Sequence, residues 1–259
     1  MALGDFTLIA LERKFDGTFF RGLVFLYRRL FGMIDIHSHL RWQYLKSLLD
    51  FEFKDMIELG AGNCAMIAEV YRVFKKSGAA NFVAVEPYGE VKKIKTSLVL
   101  DNLSDINIVK GKIEQIKQKD KSFDFVLLMD VLEHVDNPEI AMKEVSRITK
   151  KGGNLIISVP NPNYLKFFGK KFNEMIGHKR FYTKRILQNL VEKSGFRVIS
   201  VASFTGLVAS LACALWYRFV FYHFKLAFPL APLFRLAFIG DFLFSKVISS
   251  HIILKAEKT

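Results

Sequence analysis

A chain of 259 residues is long enough for one α/β domain with a buried core and short for two of ordinary size. Its composition, 51% hydrophobic and 24% charged, excludes intrinsic disorder and leaves apolar side chains that something other than a core must cover. A net charge of +13 selects an anionic partner surface, whether phosphate, nucleic acid or acidic bilayer, while two distant cysteines, Cys64 and Cys213, exclude a disulfide scaffold and point to a reducing compartment.

The start, Met1-Ala2-Leu3-Gly4-Asp5, has no basic stretch and is soon followed by Glu12-Arg13-Lys14, so no secretory signal and a cytoplasmic location are expected. Over residues 17–31, Arg21, Arg28 and Arg29 return to one side of a helix whose other sides are aromatic and aliphatic. Residues 1–35 therefore read as an amphipathic region that either packs over a sheet or lies on a membrane surface.

From about residue 54, short β-branched runs alternate with helical stretches, the pattern of a parallel sheet covered by helices. Strands are predicted at Asp55 to Leu59, Asn81 to Val85, Ile106 to Val109, Phe123 to Leu128, Asn154 to Val159, Phe196 to Phe204 and Ser250 to Ala256. Helices are predicted near Asn63 to Lys76, Glu90 to Leu100, Pro138 to Thr149 and Thr183 to Lys193, the third started by Asn137-Pro138. Between the last two strands, Thr205 to Ser249 holds 45 residues with five charges and eleven aromatics, too apolar for an ordinary surface loop. Pro229-Leu230-Ala231-Pro232 divides it into two predicted helices, with Arg218 and Lys225 striping the first and Arg235 and Lys246 the second. The 20 residues between Arg197 and Arg218 lack Asp, Glu, Lys and Arg and match a membrane span in length, but the sixth strand uses their first third, so no span is expected. The expected organisation is a domain of residues 36–204 with 250–259, and an apolar helical insertion over 205–249 that docks on a membrane or covers the substrate.

Ile57-Glu58-Leu59-Gly60-Ala61-Gly62-Asn63-Cys64-Ala65 joins the first strand to the first helix. Its glycines let the backbone turn tightly and approach a ligand at a helix N-terminus. The same letters, with the acid Glu86 ending the next strand, also suit a nicotinamide dinucleotide. Glu58 separates the two readings, because a carboxylate there repels a pyrophosphate and attracts a cation such as the sulfonium and ammonium of S-adenosylmethionine. Two further features agree: Phe123 to Pro138, a buried strand running into an acidic loop, and the closing series Gly152 to Val159, helix, Phe196 to Phe204, Ser250 to Ala256.

With these motifs in order, residues 36–256 resemble class I S-adenosylmethionine-dependent methyltransferases. Asp130-Val-Leu-Glu-His-Val135, Ser158-Val-Pro-Asn-Pro162 and Gly177-His-Lys-Arg-Phe-Tyr-Thr183 resemble the small-molecule and lipid branch that includes ubiquinone-biosynthesis O-methyltransferases. The resemblance implies a Rossmann-like α/β fold, a seven-stranded sheet of order 3-2-1-4-5-7-6 with the last strand antiparallel and helices on both faces. It also implies S-adenosyl-L-methionine as cofactor, with Gly60, Ala61 and Gly62 under its methionine part, Glu58 near its amino group, Glu86 on the ribose hydroxyls, and Pro87, Ile113 and Asp130 beside it. One departure stands out: in Gly111-Lys112-Ile113-Glu114, Lys112 occupies the place of an acid that often takes the adenine amino group, which leaves that contact to Glu114 or a backbone carbonyl.

Methyl transfer from a sulfonium is an in-line displacement that draws on positioning and water exclusion, and it needs a base only if the acceptor must lose a proton. His134 and His178 are the candidate bases, with Asp130 a third catalytic candidate; a hydrogen-bonded loop role stays open for His134. Asp130, Glu133 and His134 resemble a divalent-ion cluster of some relatives, with mixed ligands suited to Mg²⁺ or Zn²⁺, but no metal is assigned. Between Lys166 and Arg197, nine basic residues against two acidic ones form either a solvated face or a phosphate-recognising flank of the acceptor site. Asn161-Pro162-Asn163-Tyr164 follows the fifth predicted strand, so it is not the Asn-Pro-Pro-Tyr signature of nucleic-acid amino-methyltransferases, which follows the fourth.

The expected function is methyl transfer to an apolar or lipid-linked small molecule by an enzyme peripheral on the cytoplasmic face of an anionic membrane. The alternatives are a soluble small-molecule O-methyltransferase with the insertion as lid or dimer interface, and a non-catalytic membrane-bound scaffold. A nucleic-acid partner would explain the charge but not the apolar insertion.

Overall fold

The computed structural model describes residues 35–78, 81–88, 91–218, 230, 233–234 and 248–259. The chain enters through α1 (Ile36–Leu48), capped by Asp35, whose Oδ2 accepts from the Ser38 N–H at 2.7 Å. There follow β1 (Asp55–Leu59), α2 (Ala65–Phe74), β2 (Asn81–Glu86), α3 (Val91–Leu100), β3 (Ile106–Lys110), β4 (Phe123–Met129), α4 (Pro138–Ile148) and β5 (Thr149–Pro160). Two short helices, α5 (Tyr164–Phe168) and α6 (Lys170–Ile176), precede α7 (Lys184–Lys193), β6 (Phe196–Gly206), α8 over 207–218 and β7 (Ser249–Lys258).

The seven strands form one sheet in the order β3-β2-β1-β4-β5-β7-β6, in which β7 runs antiparallel to both its neighbours and the other pairs are parallel, as expected. Central strands of such a sheet are covered on both faces, so their residues are apolar without interruption. Ile57, Leu59, Val126 and Leu128 point to one face and pack with Met142 and Val145 of α4 and Leu187 of α7. Met56, Phe82, Phe125 and Leu127 point to the other and pack with Leu45 of α1 and Ile67 and Val70 of α2. Each aliphatic side chain buried this way stabilises the fold by roughly 1.5–3 kcal/mol.

The elements differ from the predicted ones mainly at their ends. The helix predicted to Thr149 stops at Ile148, because Thr149 already pairs with Phe123 at the start of β5. The last two strands run longer than predicted because they pair with each other from Phe196 opposite Lys258 to Gly206 opposite Ser249. The apolar insertion is therefore nested inside the end of that ladder. Its first helix, α8, buries Ala209, Ala212, Cys213, Trp216 and Tyr217, and leaves Leu211 and Leu215 exposed at 48% and 59%. No described helix is long and apolar enough to cross a membrane. The helix expected over 17–31 and all of the second insertion helix except 230, 233 and 234 lie outside the described residues. Three helices were not predicted: α1, α5 and α6.

Candidate active site

The glycine loop leaves β1 with Gly60 and Ala61 N–H groups both donating to Val85 O, at 2.8 and 3.0 Å. Gly60 has φ +70, and a Cβ built on it would lie 2.6 Å from Val131 Cγ2, so only glycine fits. Gly62 has φ +54 and donates its N–H to Glu86 Oε2 at 2.8 Å, while Tyr88 N–H donates to Oε1 of the same carboxylate at 3.0 Å. Glu58 lies beneath the loop, 2% exposed, with Oε2 accepting from Ile67 N–H in the first turn of α2 at 2.9 Å. Burial pushes its carboxyl up to about 8, against which the Ile67 bond and the charge of Arg41 work. Ala61 and Ile113 are buried, Ile113 in the core beside Val85; Pro87 and Glu114 are half-buried, and Lys112 is exposed.

Asp130 ends β4 at φ +55, a strained conformation for a residue with a side chain. It is held by its own N–H to Ser158 O at 3.0 Å and by the Ser158 hydroxyl, which donates to Oδ1 at 2.6 Å. Oδ2 faces Arg41 Nη1 at 3.2 Å and His251 Nε2 at 3.8 Å. Burial works against this carboxylate, but Arg41, His251, His37 and Ser158 together hold it well below the usual range. Arg41 reaches past Asp130 to His37, with Nη2 3.2 Å from Nδ1.

His134 and His178 come together, their rings edge to face at 4.8 Å, with Nε2 atoms 3.9 and 3.8 Å from Glu133 Oε1. Glu133 is fully buried, and among the described residues neither of its carboxylate oxygens has a hydrogen-bond partner. Burial, then the charge of Asp130, raises its pKa well above the usual carboxylate range. Burial lowers both histidines, His178 to about 3, with the Gly177 carbonyl, 3.2 Å from His134 Nδ1, partly opposing the shift at His134. The trio Asp130, Glu133 and His134 singled out for metal is divided. Asp130 groups with His37 and His251, and Glu133 with His134 and His178, the ligand atoms of each group lying within 4.8 Å of one another. Arg41 already supplies a positive charge to the first group, so the second has the better donor set for a divalent ion.

The basic flank is also revised. Arg180 does not face outward for phosphate: its guanidinium donates to the carbonyls of Leu132, Val135 and Asp136, and Tyr182 OH donates to Leu132 O at 3.2 Å. Lys179 pairs with Asp136, and Arg197 with Glu257 at 2.6 Å. The Gly177 to Thr183 motif thus clamps the loop after β4, while Lys166, Lys171, Lys184, Arg185 and Lys193 stay exposed. Asn161 follows β5 and donates from Nδ2 to Ser249 O at 2.9 Å, a structural link between the end of β5 and the start of β7, where the insertion returns to the sheet.

A family model described as a methyltransferase domain matches residues 37–201, most of the chain. The chain belongs to the methyltransferase-domain family. It is 26% identical to a demethylmenaquinone methyltransferase of Staphylococcus haemolyticus over 226 residues, covering 75% of this chain and 90% of that one. A shorter match, 35% identical over 77 residues, is to an uncharacterised protein of Methanocaldococcus jannaschii, of which it spans 37%. In fold, the methyltransferase is similar to an S-adenosylmethionine-dependent methyltransferase of Thermotoga maritima, with TM-score 0.59, 23% identity, and coverage of 93% of this chain and 98% of that one. It is also similar to geranyl diphosphate C-methyltransferase of Streptomyces coelicolor, solved with S-adenosyl-L-homocysteine, with TM-score 0.61, 12% identity, and coverage of 85% and 78%.

This is therefore an S-adenosylmethionine-dependent methyltransferase, and the residues at its glycine loop suit that cofactor. Two carboxylates, Glu58 and Glu86, flank a turn that a side chain at Gly60 would block. The methyltransferase adds residues that the sequence reading missed: Arg41 and His37 on α1, Ser158 on β5, His251 on β7 and Tyr217 on α8. His37 and Arg41 carried a legible signal, polar residues one helical turn apart among the buried Ile36, Leu40 and Leu45.

Proposed function

We propose that this methyltransferase acts on an apolar, lipid-linked small molecule, of the oxygenated-ring class named by its demethylmenaquinone methyltransferase relative, at the cytoplasmic face of a membrane. The observation that carries this reading is the surface around the carboxyl edge of the sheet. There Leu165, Met175, Leu211, Leu215 and Leu233 are exposed on or next to α5, α6 and α8, beside the exposed Lys166, Lys171 and Arg218.

When bound, S-adenosylmethionine supplies an electrophilic methyl group on a sulfonium. Glu58 would face its ammonium, Glu86 its ribose hydroxyls, and Arg41 its carboxylate; a carboxylate suits a vicinal diol because it accepts from two hydroxyls at once. Asp130 positions Arg41 and is not free to act as a base, since Ser158 and Arg41 hold it charged. His134 is the better proton acceptor. Its Nδ1 is tied to Gly177 O, which leaves the Nε2 lone pair toward Glu133, and it is lowered by burial against a bond that supports its charge. His178, at about 3, is too weak a base to lead and is assigned to orienting the acceptor.

A second reading makes the insertion a lid on a soluble enzyme, and the burial of Trp216 and Tyr217 against the domain favours it. Flotation separates the two. The full chain should float with anionic vesicles at low salt and release them at high salt, Leu211→Ser with Leu215→Ser should float less while binding the cofactor normally, and label from the cofactor methyl should enter a lipid extract. A wild-type protein that stays with the soluble fraction overturns membrane docking.

A further inference from the structure

Five rings from four elements close a circuit at the carboxyl edge of the sheet. Centroid to centroid, His37 of α1 lies 4.6 Å from His251 of β7, His251 5.3 Å from Tyr164 of α5, and Tyr164 4.2 Å from Phe168. Phe168 lies 6.2 Å from Tyr217 of α8, and Tyr217 6.2 Å from His37. Aromatic faces and edges of this kind attract a further ring by stacking or edge-to-face contact.

The polar atoms on this circuit are unmet. His37 Nε2, the Tyr217 hydroxyl and Arg41 Nε are all buried without a hydrogen-bond partner among the described residues. The tautomer of His37 follows from its neighbour: a guanidinium only donates, so Nδ1 accepts from Arg41 Nη2 at 3.2 Å and the proton sits on Nε2. Burial and Arg41 keep that imidazole neutral, and burial and Asp35 keep the Tyr217 hydroxyl protonated. The circuit thus presents donors. Its charge is already settled: Arg41 is matched by Asp130 at 3.2 Å, and Asp35 adds a further buried carboxylate whose Oδ1 is also unpartnered. An acidic guest would bring another negative charge into a desolvated place beside Asp35, whereas a hydroxyl or carbonyl satisfies the donors without one.

We propose that Tyr217 and His37 are specificity-determining residues of the acceptor site, donating to the oxygen of a neutral phenol- or quinol-like ring and discriminating against an aromatic acid. This rests on the methyl transfer to an oxygenated ring proposed above. It gives α8 a second task, since the helix that exposes Leu211 and Leu215 on one side supplies a wall of the acceptor site on the other.

The probes are 2-naphthol, neutral at pH 7, and 2-naphthoate, its charged analogue, titrated calorimetrically into the full chain saturated with S-adenosylhomocysteine. The neutral ring should bind at least about tenfold tighter. Tyr217→Phe should weaken 2-naphthol about tenfold while leaving S-adenosylhomocysteine affinity unchanged, the second measurement reporting that the variant is folded; His37→Phe, which also removes a partner of Arg41, should weaken 2-naphthol about tenfold with its folding checked by thermal melting. Equal or tighter binding of 2-naphthoate overturns the proposal, as does unchanged affinity of Tyr217→Phe for 2-naphthol, or failure of both rings to bind a protein that binds S-adenosylhomocysteine. Label transfer to a lipid extract by a protein that ignores both rings would overturn this inference alone. The stated ring preference without any lipid methylation would support it and overturn only the lipid acceptor.

Discussion

Glu58 and Glu86, at the ends of β1 and β2, accept backbone N–H bonds, Glu58 from Ile67 of α2 and Glu86 from Gly62 and Tyr88, whereas Glu133, just beyond β4, has no hydrogen-bond partner for either oxygen among the described residues. The same contrast runs through the neighbours of each. On the glycine-loop side the chain meets its own polar groups; on the β4 to β7 side His37 and Tyr217 also keep buried atoms unmet among the described residues, although Arg180 and Ser158 hold the loop after β4. A buried polar group without a partner is costly, so such atoms mark where a ligand would supply one. On the roles proposed above, the cofactor half is finished by the chain itself, and the acceptor half would be finished by what binds there.

Changes that block the finished half should have the largest effects. Gly60→Ala places a methyl group against Val131 at a left-handed φ, a combination costing about 2–5 kcal/mol, so S-adenosylhomocysteine affinity measured by calorimetry should fall on the order of 10²-fold. A variant that binds normally would remove the glycine loop from the cofactor site. In the unfinished half, His134→Ala should lower turnover by about 10² with cofactor affinity intact, and His178→Ala should lower it less, because an imidazole at about 3 is the poorer base. Steady-state rates that reverse this order would exchange the two roles. Glu86→Ala should then weaken S-adenosylmethionine about tenfold or more through the loss of two charge-assisted hydrogen bonds.

Smaller effects follow from the proton that burial places on Glu58. With its carboxyl near 8 it is mostly protonated at pH 7, so pairing with the cofactor's ammonium must release up to about one proton. The heat of binding should accordingly depend on the ionisation enthalpy of the buffer, and Glu58→Gln should remove that dependence. Stability in the absence of cofactor should pass through a maximum near pH 6.5. His178 and His251 titrate near 3 and 4 in the fold against an ordinary 6.5, so the folded state binds fewer protons across that window and gains stability as pH rises through it. Glu58 has the opposite sign: its folded pKa near 8 lies above the ordinary 4.5, so stability is lost as pH climbs from 6.5 toward 8. A melting temperature still rising from pH 6.5 to 8 would contradict the burial of Glu58, and a cofactor that rescues more at pH 8 than at pH 6.5 would sharpen it.

The strands, their apolar faces, the glycine turn and the acids Glu58 and Glu86 were legible in the sequence because each depends on residues close together in the chain. A carboxylate two positions before a glycine stays near that turn whatever the rest of the molecule does. The acceptor half was legible only as a list, with His134, His178 and Asp130 named and their relations unknown. Tertiary structure decided those relations. The positive φ of Asp130 and its bond to Ser158 send its carboxylate to Arg41 and His251, which divides a trio that a likeness to the cation sites of some relatives had joined. Arg180 became a clamp once carbonyls of the β4 loop surrounded it, and Tyr217, lost among eleven aromatics in an apolar insertion, met His37 of α1 when the pairing of β6 with β7 brought α8 back. Periodicity reports which side of an element is buried; only the closure of the sheet decides which buried polar groups meet.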